Sequence, residues 1–218
     1  MNDTKPKPSA LLLISPQCTY CPAVMEGLTR LVKEGALGRL EIVNLFEHPE
    51  IAQKLGVRSV PWTRIGGFEI EGAQSYGELK RWAQQAADEG GMTDYYTHLL
   101  KSSQLDKVIE RIRDYPATLL DLVLLAGSMD TPMNVRIGVG AVLEEFSGSD
   151  LLEGIVPELI RLTQSEDQQI RADACHYLSL THAPEALEAV HALSDDPDPQ
   201  VREIAMESAA SLEAVLHQ

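Results

Sequence analysis

The stretch LLLISPQCTYCPAVM, residues 11–25, sets two cysteines three positions apart, Cys18 and Cys21, between an apolar run and a proline. The segment Ala10 to Ser15 reads as a buried strand, and Pro22 to Lys33 as a helix with Val24, Leu28, Leu31 and Val32 on one face. Cys18 therefore follows the end of a strand, and Cys21 falls in the first turn of a helix. A thiolate in that turn is stabilised by the helix macrodipole and by free backbone N–H groups. The spacing lets both sulfurs come within disulfide reach without distorting the helix. Pro22 removes an N–H that would be an orphan donor in a first turn anyway. At such a junction one thiolate can attack and the other can resolve. A pair with this spacing can also be half of a zinc or iron–sulfur site, or an inert feature of a binding module.

Outward from the pair, Gly35 to Gly38 stops the helix, and Leu40 to Phe46 reads as a second strand. Pro49 to Leu55 is a short helix ended by Gly56. Thr63 to Ile65 and Phe68 to Ile70 are two strands joined by Gly66-Gly67, a two-residue hairpin turn. Ser75 to Ala87 reads as a helix in which Ser75 is the N-cap and Glu78, three residues on, completes a capping box. The order over residues 8–88 is βαβαββα. Ahead of the hairpin stands SVPWT, Ser59 to Thr63. A proline there cannot donate to a strand ladder, and a cis Val60–Pro61 bond would suit a turn at that point.

CxxC at a strand-to-helix junction, then xVP before a hairpin, then a final helix approached through GAQSYGELKRW (Gly72 to Trp82), resembles the thioredoxin-like proteins over residues 8–88. The resemblance implies that Cys18 is the attacking thiol and Cys21 the buried resolving thiol. It implies a cis Pro61 facing the pair, with Val60 offering backbone hydrogen bonds to an extended substrate strand. Gly72 would leave room for that substrate. Trp62, unusual after the proline, is expected to flank the groove, and Tyr20 is a further expected substrate contact. Departures from the family pattern are specific. Gln17 replaces the usual tryptophan before the first cysteine, and Thr19-Tyr20 replaces Gly-Pro between the cysteines. The buried acid that assists proton transfer would fall near Leu12. Tyr20 is similar to the tyrosine of glutaredoxins, but Glu71-Gly72-Ala73-Gln74 replaces the glutathione-holding Gly-Gly and acids.

DEGG, Asp88 to Gly91, is the expected domain boundary. Beyond it the hydrophobic period becomes helical, and helices are expected near 93–101, 104–114, 117–127, 133–146, 151–164, 168–180, 184–194 and 199–216. Three segments are alike: MNVRIGVGAVLEEF, QQIRADACHYLSL and PQVREIAMESAASL. Val135-Arg136, Ile170-Arg171 and Val201-Arg202 mark a common register with spacings of 35 and 31 residues, within the range of helical repeat arrays. Acidic residues precede each: Asp130, then Glu166-Asp167, then Asp195-Asp196 with Asp198, which suits helix N-termini. Small residues such as Gly138, Ala172, Ala174 and Ala205 allow close helix packing. The pattern resembles HEAT repeats over residues 93–218, most clearly in the last three units. The three arginines are expected to tie neighbouring repeats through the acidic turns.

Bulk properties narrow the function. Net charge is −15. Residues 1–90 carry 10 basic and 11 acidic side chains, and residues 91–218 carry 8 and 22. A second half this acidic disfavours nucleic acid and anionic membrane as partners and suits a soluble surface or a basic protein partner. The N-terminal apolar run is too short for a signal peptide, and no stretch approaches the roughly 18 apolar residues of a membrane span, so the chain is expected to be cytoplasmic. Three cysteines in a reducing compartment do not make a structural disulfide framework. Zinc at Cys18 and Cys21 would need two more ligands, and the remaining cysteine, Cys175, lies far along the chain in a repeat helix. Cys175 reads as a small core residue, and the histidines show no i,i+4 pair. The expectation is a dithiol–disulfide oxidoreductase whose only redox group is the Cys18–Cys21 pair. It would act on a protein disulfide or dithiol, be served by an upstream reductase, and recruit a protein partner on the helical repeats. The alternatives are a non-catalytic interaction scaffold and a metal- or sulfur-carrying CxxC protein.

Overall fold

The computed structural model describes residues 7–88 and 91–217. The N-terminal stretch through residue 6, and Glu89 and Gly90 of the expected boundary, lie outside the described residues. The chain divides into two compact units, Met1–Gly91 and Met92–Gln218.

The first unit is built on a four-stranded mixed sheet. Its elements are β1 (Ser9–Ile14), α1 (Cys21–Lys33), β2 (Arg39–Asn44), α2 (Pro49–Lys54), β3 (Trp62–Ile65), β4 (Phe68–Glu71) and α3 (Tyr76–Asp88). The spatial order is β2-β1-β3-β4, with β1 parallel to β2 and antiparallel to β3, and β3 antiparallel to β4. The β1–α1–β2 crossover follows from the parallel pairing, since parallel neighbours need a long connection and a helix supplies it. Helices α1 and α3 pack on each other. Leu12, Val24, Leu28, Leu31, Ile65, Ile70, Leu79 and Trp82 are fully buried, and the Phe68 and Trp82 rings lie 5.2 Å apart at a tilt of 49°. The capping box forms as expected: Ser75 N–H donates to Glu78 Oε2 at 2.8 Å, and Glu78 N–H donates to Ser75 Oγ at 3.3 Å. A second tie joins α3 to the end of α1, where the Tyr76 hydroxyl donates to Glu34 Oε2 at 2.5 Å and the Arg30 guanidinium lies 4.0 Å from the Tyr76 ring centre.

The second unit is helical, with no strand among its described residues. Its helices are α4 (Met92–Lys101), α5 (Leu105–Asp114), α6 (Leu119–Ala126), α7 (Met133–Glu145), α8 (Val156–Leu162), α9 (Gln168–Leu180), α10 (Ala186–Ala192) and α11 (Pro199–Leu216). Short 3-10 turns at Pro116–Thr118, Asp150–Ile155 and Leu193–Asp195 account for expected helix ends that the α-helices do not reach. Helices α6 with α7, α8 with α9, and α10 with α11 pack as successive pairs, and α7, α9 and α11 stack in order.

The shared arginines bind these pairs together. Arg136 donates to the Ser128 carbonyl at 3.1 Å and to Asp173 Oδ2 at 2.6 Å. Arg171 donates to the Ser165 carbonyl at 2.9 Å and grips both Asp196 oxygens at 2.8 Å. That bidentate pair holds the Asp196 carboxyl below its usual range. Asp167 and Asp198 act as N-caps, each accepting from the N–H groups two and three residues on. The acid before α7 departs from the pattern. Thr131-Pro132 separate Asp130 from the helix, Pro132 takes the N-cap position, and no side chain caps α7. Among the described residues no helix is long and apolar enough to cross a membrane.

Candidate functional site

The sheet topology gathers three distant stretches at one end. Strand β1 runs out at Ile14 into the CxxC segment. Strand β3 begins beside it in the opposite sense, with Trp62 opposite Leu13, so Val60-Pro61 stands at the same end as the cysteines. Strand β4 returns there too, with Glu71 opposite Trp62 and Gly72 next in line. Gly72 N–H donates to the Pro61 carbonyl at 2.9 Å, and the Val60–Pro61 bond is cis.

Cys18 and Cys21 are joined in a disulfide with S–S 2.05 Å and Cα atoms 5.5 Å apart. The two are unequal. Cys18 lies before the helix and is half-buried, while Cys21 is the first helical residue and only 4 % exposed. Cys21 N–H donates to Cys18 Sγ at 3.1 Å, which is the free first-turn N–H anticipated for this junction. A donor aimed at that sulfur favours its thiolate once the disulfide is opened. The helix begins at Cys21 rather than at Pro22, and Pro22 takes the second position, where its missing N–H costs no intrahelical bond.

The expected groove residues divide into two sets. Tyr20 is 64 % exposed beside the disulfide, Val60 is half-buried, and Pro61 is buried. Gly72 has φ +83°, a conformation that other L-residues adopt at a cost, and a Cβ built on it meets nothing within 4 Å. Open space therefore borders the Pro61 carbonyl on this side. Trp62 departs from expectation. It does not flank a groove but is 1 % exposed in the core. The strand starts one residue earlier than the sequence suggested, at Trp62, and its register with buried Leu13 turns the ring to the same covered sheet face. Arg64, two residues on, brings its guanidinium to 5.9 Å from the ring centre.

Sequence reasoning missed Phe46. Read as the last residue of a strand, it lies beyond the end of β2 and is 74 % exposed. Leu45 N–H donates to the Ile14 carbonyl at 2.9 Å, which sets Phe46 at the cysteine end of the sheet. The available signal was Asn44, whose side chain accepts from Phe46 N–H at 3.0 Å and turns the chain out of the strand.

Leu12, at the position where the thioredoxin family carries a buried acid, is fully buried. Cys175 is free, fully buried in α9, and its thiol is pushed up to about 11 by burial. Among the described residues no group of three or more His, Cys, Asp or Glu is placed to hold a metal ion.

Residues 10–84 match the family model of the thioredoxin domain. Residues 121–210 match that of HEAT repeats. The chain thus carries a thioredoxin-like domain followed by a HEAT-like helical repeat domain. No curated protein matches the chain.

Proposed function

We propose that the protein is a thiol–disulfide oxidoreductase that works through the Cys18/Cys21 pair on protein substrates, with the HEAT-like domain recruiting a protein partner. The observation that carries this reading is the inequality of the pair: a half-buried Cys18 receiving the Cys21 N–H at 3.1 Å, in front of a buried Cys21. In the reducing direction the Cys18 thiolate attacks one sulfur of a target disulfide. A Cys18–target bond forms, and the other target sulfur leaves as a thiolate. Cys21, deprotonated, then attacks Cys18 Sγ, closes the Cys18–Cys21 disulfide and releases the second target thiol. Two electrons pass to the target, and an upstream dithiol reductase returns them. The target chain lies extended along Val60-Pro61 in the space beside Gly72, with Tyr20 at its edge. The acidic repeats suit a basic protein partner rather than nucleic acid or an anionic membrane. The compartment assigned is the cytoplasm.

Two measurements test this. A redox titration of the purified protein, read by alkylation and mass spectrometry, should give a two-electron couple confined to Cys18 and Cys21. A potential near about −270 mV marks a reductant and one near about −120 mV an oxidant. Cys21→Ser should trap mixed disulfides through Cys18. If the pair forms no reversible disulfide and nothing is trapped, the thioredoxin-like domain is a binding module.

A further inference from the structure

Helices α7, α9 and α11 share a register in which the arginine is followed four residues later by Gly140, Cys175 and Met206 in turn. In the first two helices this side is covered by the next repeat. A Cβ on Gly140 would lie 3.3 Å from the Tyr177 hydroxyl of α9. Cys175 is fully buried and hydrogen-bonds Ser208 of α11. The arginines follow the same rule, Arg136 reaching Asp173 and Arg171 reaching Asp196 of the repeat after its own. On α11 that side is open. Met206 is 60 % exposed. Arg202 repeats half of the Arg171 arrangement: its Nη1 donates to the Asp196 and Pro197 carbonyls at 2.6 and 3.1 Å, six and five residues upstream, as Arg171 does to Ser165 and Glu166. Its remaining nitrogens meet no carboxylate among the described residues, whereas those of Arg171 grip Asp196.

Arg202, Met206, Ala210 and Glu213 occupy one stripe of α11, at i, i+4, i+8 and i+11. The stripe is self-complementary about its midpoint, with a cation mirrored by an anion and a large side chain by a small one. Self-complementarity is what a two-fold interface requires. We propose that this stripe pairs antiparallel with the same stripe of a second copy of the chain. Arg202 of each copy then receives the Glu213 carboxylate of the other, in the manner that Arg171 receives Asp196, and each Met206 seats against the other copy's Ala210. Glu213 also lies 3.1 Å from His191 Nε2 on α10, which holds its carboxylate in place on the stripe.

Sedimentation equilibrium of the full chain tests this, sampled to about 300 µM, above the roughly micromolar affinity expected of so small an interface. A monomer–dimer equilibrium is expected. Arg202→Glu and Glu213→Arg should each weaken dimerisation about tenfold or more, because each sets like charges together at two symmetric places. Met206→Asp changes only an exposed side chain and should abolish the dimer with helicity unchanged. A chain that stays monomeric throughout overturns the proposal. So does a dimer indifferent to Met206→Asp, or one that Glu213→Arg fails to weaken; either result would place the contact elsewhere or assign the face to a different protein.

Discussion

At the scale of single residues, Gly72 joins fold to chemistry. Its φ of +83° closes β4 onto the Pro61 carbonyl and leaves free space where a side chain would stand. Gly72→Val should therefore act twice. Left-handed backbone costs a non-glycine residue about 1–2 kcal/mol, and the new side chain enters the space assigned to the substrate. The expected outcome is a modest loss of stability by denaturant titration and a larger loss of mixed-disulfide trapping in the Cys21→Ser background. Trp62→Ala separates these effects from the opposite direction. Its ring is buried rather than presented, so the variant should lose about 3–5 kcal/mol of stability. Reduction of a small-molecule disulfide should change little under conditions where the variant remains folded. Trp62 also marks where residue-level reading stopped. An aromatic residue after a proline reads as a surface flank until the ladder is known, and the ladder depends on pairing with Leu13 some fifty residues earlier, which local pattern does not encode.

At the scale of elements, Arg–Asp pairs link one repeat to the next, whereas the caps act within single helices. Asp196 is 4 % and Arg171 13 % exposed on their side chains, so removing one partner leaves a poorly solvated charge behind. Asp196→Ala should destabilise the helical domain by about 3–5 kcal/mol, measured by thermal or urea unfolding. The pair also sets a pH dependence. The folded Asp196 carboxyl is held below its ordinary value, chiefly by the hydrogen bonds from Arg171. Its stabilisation is present in full above the unfolded carboxyl value, near about 3.9, and is lost as pH falls through the lower folded value. Asp196→Asn should flatten that acid limb of the unfolding curve. Helices, strands and the Ser75–Glu78 capping box were legible from spacing, since each rests on contacts within one turn or one hairpin. The arginines' register was legible as well, but their partners were only partly so: Arg171 reaches an acidic turn at Asp196 as expected, whereas Arg136 reaches Asp173 within α9 and Arg202 holds only carbonyls of the turn before its own helix. The capping of α7 was not, because Thr131-Pro132 shift Asp130 away from a helix start that looks equivalent in sequence.

At the scale of the whole molecule, charge is distributed by domain. Residues 91–218 hold 22 acidic and 8 basic side chains. Self-repulsion in such a body opposes compactness and is screened within about 10 Å at 0.1 M salt. Moderate salt should raise the Tm of the helical domain by a few degrees, roughly, over its value in dilute buffer. The same salt should leave the transition of the near-neutral first domain almost unmoved. Near-ultraviolet signals can follow that transition, because both tryptophans, Trp62 and Trp82, lie in the first domain. A rise in both domains alike would point to excluded-solute effects rather than to screened repulsion.

The chain has three cysteines, yet the reduced protein should behave as if it had one. Cys21 is sheltered behind its neighbour, and Cys175 is both sealed in α9 and poor at ionising near neutral pH. A brief pulse of a bulky maleimide should therefore deposit a single label, at Cys18. A dye, a spin probe or a surface tether can be attached there without first removing any other thiol. The same seclusion lets a maleimide resin retain the reduced protein by one thioether, which Cys21 cannot resolve, and let the oxidised form pass, sorting the two states on a column.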